Sequence, residues 1–73
     1  MPPQPVDISL VISSRNRAYG LTNCLDAISV AARQASYLRL ELVFVDNGST
    51  DSTSDVVREW ALNAPLKTTL IYE

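Results

Sequence analysis

Apolar residues fall along this chain in three short runs and two spaced stripes. Ile8, Leu10, Val11 and Ile12 form the first run, and Leu42-Val43-Phe44-Val45 the second. Both are nearly continuous rather than alternating, as in a parallel strand covered on both faces. They predict strands over 7–12 and 41–45, and Lys67-Thr68-Thr69-Leu70-Ile71-Tyr72 predicts a third over 67–72. Between the runs the period changes. Leu21, Cys24, Leu25, Ile28, Ala31, Ala32 and Ala35 recur three or four positions apart, as one face of a helix requires. That helix spans roughly 20–35, after a polar loop over 14–20 that ends in Gly20. A second helix, at about 53–63, turns Val56, Val57, Trp60 and Ala61 inward. Ser52, Thr53 or Ser54 is positioned to cap it, Asp55 suits its positive end, and Pro65 helps to stop it.

The order β-α-β-α-β predicts an α/β fold with parallel strands. Crossovers between parallel strands are right-handed almost without exception. If the strands progress steadily in one direction, both helices lie on the same face of the sheet. Ile8, Leu10, Val43 and Val45 cannot all point toward that face. The other face therefore awaits cover from more chain or from a self-associating partner. We expect the 73 residues to be the N-terminal piece of a larger fold.

Composition narrows the class. A chain of 73 residues holds one small domain, and buries only about 60% of the surface its unfolded form exposes. One cysteine permits no internal disulfide, and without histidine a structural zinc site is excluded in practice. Cys24 falls on the apolar stripe and reads as a buried, inert thiol. The net charge of -2, without a basic run, argues against a nucleic-acid partner. No apolar stretch approaches the roughly 18 residues of a membrane helix. Met1-Pro2-Pro3-Gln4-Pro5 lacks the basic start and apolar core of a signal peptide, so 1–5 reads as an extended tail and 6–73 as the folded portion. A cytoplasmic location is the expectation.

The candidate chemistry lies where the first two runs end. Ser13-Ser14-Arg15-Asn16-Arg17 follows one, and Asp46-Asn47-Gly48-Ser49-Thr50-Asp51 the other. In open α/β sheets, ligands bind outside the carboxyl ends of the strands, where both segments emerge. Asp46 has two readings: a carboxylate that accepts from a ligand, or one that closes the corner as a turn former. Gly48 supplies freedom at a tight turn. Asp51 reads as an anchor that accepts backbone N–H groups. Arg15 and Arg17 are candidates for a diphosphate, or ordinary solvated charge. Tyr19 reads as loop packing or a ligand platform, Tyr37 as packing of the helix-to-strand connection, and Trp60 as core. Neither loop has the spacing of a dinucleotide fingerprint or a P-loop. The second also fails as a calcium loop, since Gly48 comes too early.

Ile8 to Arg17, Leu21 with Cys24 to Ile28, and above all Glu41 to Asp51 resemble the opening of the family 2 glycosyltransferases. The resemblance runs from about Val6 to Tyr72 and covers the first quarter or third of such a domain. It implies a three-layer, Rossmann-like GT-A fold that binds nucleotide-diphospho-sugars. It also implies an inverting enzyme that moves a sugar from an NDP-sugar, with UDP the first choice, to an acceptor hydroxyl. By resemblance Ser13, Arg15, Asp46 and Asn47 contact the nucleotide, with Asp46 bonded to the base. Asn16, Arg17, Gly48 and Asp51 support the loops. Asn47 stands where many members carry a second Asp, and Arg15 replaces a frequent aromatic, though a guanidinium can also stack on a base.

A complete member implies Mg²⁺ or Mn²⁺ at a later carboxylate pair, and a later carboxylate base. No Asp-x-Asp occurs in these 73 residues, so the fragment alone is expected to bind no metal and to be inactive. Two other readings stay open: a non-catalytic binding or assembly module, and another nucleotide-handling enzyme such as a nucleotidyltransferase.

Overall fold

The computed structural model describes residues 5–73. The tail expected over 1–5 lies almost wholly outside the described residues. Five elements follow in the expected order: β1 (Ile8–Ser14), α1 (Ala18–Gln34), β2 (Leu40–Asp46), α2 (Thr53–Ala61) and β3 (Lys67–Tyr72). The strands form one parallel sheet in the order β1-β2-β3.

Register decides which side chains share a face. Ile8, Leu10, Ile12 and Ser14 stand beside Leu40, Leu42, Phe44 and Asp46, and Phe44 stands beside Leu70. These point toward the helices. The core consists of Leu42 and Phe44 from β2, Leu21 and Leu25 from α1, and Val57 from α2; Ile12, Ile28, Val56, Trp60, Leu66 and Leu70 pack around it. Because one cluster draws on both helices and on one side of β2, α1 and α2 cover the same face. Val11, Val43, Val45 and Ile71 are left on the opposite face, where Val11 is 68% exposed. The described residues thus supply a sheet and one helix layer of a Rossmann-like GT-A fragment.

Three expectations need correction. Both of the first two strands run further than their apolar residues: Ser13 and Ser14 pair with Val45 and Asp46 inside the ladder. Ladder bonds use the backbone, so polar residues continue a strand wherever a partner is alongside. Cys24 is exposed, and Ser29 takes an inward position instead, its hydroxyl accepting the Trp60 indole N–H at 3.1 Å. The buried stripe of α1 is Leu21, Leu25, Ser29 and Ala32, a narrower face than periodicity suggested. Tyr19 and Tyr37 are both solvent-facing, at 101% and 82% exposure, rather than packed.

Near its N-terminus α1 is interrupted. Tyr19 (φ -68°, ψ 123°) and Gly20 (φ 80°, ψ -8°) have the angles of a type II turn, whose third residue needs positive φ. The unbroken helix therefore begins beside Leu21, as the pattern predicted. Further along, Ala31 and Ala35 are too small to reach β1. They leave an apolar cavity of about 230 Å³ over Ile8 and Leu10.

Candidate functional site

The parallel arrangement brings the segments after β1 and β2 to the same edge of the sheet, and a hydrogen-bond lattice joins them. Asn16 is central. Its backbone adopts φ 52°, a left-handed conformation that asparagine tolerates better than most residues. Its N–H donates to Ser49 Oγ at 2.8 Å, and its Oδ1 accepts the N–H groups of Thr50 at 2.8 Å and Asp51 at 3.4 Å. The next two residues continue the seam. Arg17 N–H donates to Thr53 Oγ1 at 3.0 Å, and Ala18 N–H to Asp51 Oδ2 at 3.3 Å.

Asp46 ends β2 on the helix side and is fully buried. Its Oδ1 accepts the Ser49 N–H at 3.0 Å, and its Oδ2 accepts the Ser54 hydroxyl. Burial alone would raise its pKa. The hydrogen bonds of Ser49 and Ser54, helped by the positive charge of Arg58, outweigh that and hold it below the ordinary 3.8. The backbone carbonyl of Asp46 accepts from Gly48 N–H at 3.0 Å and from Glu73 N–H at 2.9 Å. This carboxylate thus fastens the corner between β2, the loop and the first turn of α2. The direct base contact that the resemblance implied for it meets a side chain with no exposed surface.

Asp51 is anchored in the same manner. Its Oδ1 accepts the Thr53 N–H at 2.9 Å, closing an Asx turn, and also the Thr53 hydroxyl. The Thr53 hydroxyl is the main cause of its lowered pKa. Burial and the Asp46 charge oppose that shift, while the Thr53 and Ala18 N–H groups reinforce it. None of the three expected capping side chains caps α2. Ser52 is the N-cap residue without a side-chain bond, Thr53 faces back to Arg17, and Ser54 reaches Asp46.

Above this braced base, Ser13, Arg15, Asn47 and Thr50 are exposed. Ser13 and Asn47 are joined, with Asn47 Nδ2 donating to Ser13 Oγ. Arg17 is exposed too, and only its backbone takes part in the seam. Gly48 sits at φ 71°, and a Cβ there would meet the Glu73 carbonyl at 3.3 Å.

Three contributors were not legible as site residues. Ser54 and Thr53 return to the loop because α2 starts immediately after it. Tyr72 donates its hydroxyl to the Ser49 carbonyl at 3.2 Å from the end of β3. Only the adjacency of Ser54 and Thr53 to the loop was a usable signal.

Two further features bear on chemistry. No group of three or more His, Cys, Asp or Glu among the described residues is arranged to hold a metal ion. Asp46 and Asp51 aim their oxygens at N–H and O–H donors; the divalent cation implied by the resemblance belongs to a later carboxylate pair of a complete member. A larger groove, about 600 Å³, lies elsewhere among the described residues, between α1 and α2 beside Asp26, Arg33, Glu59 and Trp60. It is an open channel between surface helices, and the Trp60 N–H on its floor is already bonded to Ser29. The strand-end edge, with its exposed polar groups on a rigid base, is the better candidate.

No helix among the described residues is long and apolar enough to cross a membrane. Comparison with curated proteins and with solved structures gives no match. A family model described as Glycosyl transferase family 2 matches residues 9–72, which takes in β1 from its second residue, β2, β3, both helices and both strand-end loops. The chain belongs to the family 2 glycosyltransferases.

Proposed function

We propose that this chain is the nucleotide-binding part of an inverting glycosyltransferase that takes an NDP-sugar donor, and that Ser13, Arg15 and Asn47 form its contact surface. One observation carries the reading. Two loops at the carboxyl edge of a parallel sheet are bonded to each other through Asn16, Asp51 and Thr53, leaving Ser13, Arg15 and Asn47 exposed above them. This is where ligands bind in open α/β sheets. Each group has a matching chemistry. Arg15 offers a planar fork for a diphosphate or a face for a base, and Ser13 and Asn47 offer hydrogen bonds to a base edge. Asn16, Gly48, Asp46 and Asp51 are positioning residues that hold the loops.

In the reaction of the family, an acceptor hydroxyl attacks the anomeric carbon, the bond to the nucleoside diphosphate breaks, and the configuration inverts. A carboxylate base takes the proton of that hydroxyl. By the resemblance, both that base and the metal-binding carboxylates stand later in a complete member. The role proposed for these residues is donor binding, in a cytoplasmic protein. Titration calorimetry of the chain with UDP tests the reading. Saturable binding that weakens in Arg15→Ala supports it. Absence of binding at millimolar UDP, with a folded chain, overturns it in favour of a non-catalytic module.

A further inference from the structure

Asp26 and Arg33 lie seven positions apart in α1, so they share one side of the helix and stand about 10 Å apart along its axis. Both are exposed. At that separation they do not pair with each other. The one ion pair among the described residues joins Arg58 to Asp55, so neither Asp26 nor Arg33 is engaged in one. Midway between them come Ser29 and Val30. Ser29 is buried and accepts the Trp60 N–H, whereas Val30 is 54% exposed. Together these residues form one wall of the groove between α1 and α2, with Val56, Glu59 and Trp60 on the other. The α1 wall thus carries a carboxylate at one end, a guanidinium at the other and an exposed aliphatic side chain between them.

We propose that this groove is where two copies of the chain meet, their α1 helices antiparallel across a two-fold axis at Ser29 and Val30. A two-fold contact brings the same patch of both chains together, so the patch must complement itself. Opposite charges set equally on either side of a midpoint meet that requirement. Antiparallel pairing places Asp26 of each copy beside Arg33 of the other, and two ion pairs form where the single chain makes none. Val30 meets Val30 of the copy on the axis, and Val56 and Trp60 lie alongside as further apolar surface. Parallel pairing would set Asp26 against Asp26 and Arg33 against Arg33, and like charges oppose it. A partner of one sign would satisfy only one end of the wall, which favours a second copy as the occupant. The groove lies apart from the strand-end edge, so the inference does not depend on the nucleotide reading.

Sedimentation equilibrium over a concentration series tests the inference. Val11→Lys is carried in every chain, so that the open sheet face does not contribute. Asp26→Arg and Arg33→Asp should each weaken self-association by roughly tenfold, since each turns two attractions into two repulsions. The double variant Asp26→Arg/Arg33→Asp restores both pairs and should associate like the parent. An equimolar mixture of the two single variants should form a heterodimer. Thermal melts report that each variant is folded. Asp26→Asn and Arg33→Gln serve where a reversed charge disturbs the fold, and should weaken association less. Amide resonances of the unsubstituted chain, followed on dilution, give a second measurement, with changes expected at Asp26, Val30 and Arg33. A chain that stays monomeric, a double variant no better than the single ones, or dilution changes confined to Val11 and Val43 would each overturn the inference.

Discussion

The Asn16 side-chain oxygen accepts the Thr50 N–H at 2.8 Å across 34 positions of sequence. It does so from a backbone at φ 52°. One residue thus sets the turn of the first loop and holds the second. Asn16→Gly keeps the backbone conformation and loses the bridge. Asn16→Ala loses both, so it should be the more destabilising, by about 1–3 kcal/mol relative to the parent. Chemical denaturation of both variants checks the order; an Ala variant as stable as the Gly variant would remove the role assigned to the backbone.

Asp46 should make the fold sensitive to acid. Its pKa in the folded chain lies below 3.8, the value it would have unfolded. A group with a depressed folded pKa contributes stability that is fully present above the unfolded value and is lost as pH falls through the folded one. Asp51 acts in the same direction. Thermal melts should hold level near neutrality and decline from about pH 4 downward. Asp46→Asn should melt lower at pH 7 and show a shallower acid decline. An unchanged acid profile would mean that this carboxylate does not fasten the corner.

The two glycines separate conformational strain from crowding. Both have positive φ, 80° at Gly20 and 71° at Gly48, but a Cβ meets open space at Gly20 and the Glu73 carbonyl at 3.3 Å at Gly48. Gly20→Ala should cost about 1–2 kcal/mol from the left-handed backbone alone. Gly48→Ala should cost more and should also disturb the Asp46–Glu73 contact. Melting curves of the two single variants compare the costs directly, and equal losses would contradict the crowding at Gly48.

Phe44 is fully buried at the centre of the cluster that joins both helices to β2. Phe44→Ala should remove about 3–5 kcal/mol, enough to unfold a chain of this size under ordinary conditions. Phe44→Leu should remain folded with a lower melting point. A cooperative melt from the Ala variant near the parent temperature would place the core elsewhere.

On the open sheet face, Val11 is 68% exposed, beside Val43. Exposed apolar surface of this kind promotes association. The chain should therefore sediment with concentration-dependent mass. Val11→Lys should reduce that association, because Val11 is the most exposed apolar side chain named on this face. A strictly monomeric parent at high concentration would count against this.

By itself, the sequence determined the element order and the parallel α/β class. Two nearly continuous apolar runs with a helical period between them leave little other way to bury their side chains. It also located the edge where Ser13 to Arg17 meets Asp46 to Asp51, since consecutive strands linked through helices must emerge on the same side. What it did not determine was orientation within those segments. Asp46 and Asn47 are equally polar, and only the continuation of β2 through Asp46, paired with Ser14, buries one and exposes the other. Cys24 and Ser29 both border the apolar stripe of α1, and the choice between them fell to Trp60, whose N–H needed the Ser29 hydroxyl. Ser54 and Tyr72 joined the loop from other elements. Such partnerships are set by three-dimensional packing and by the need of every buried donor and acceptor for a partner, so no local pattern announces them.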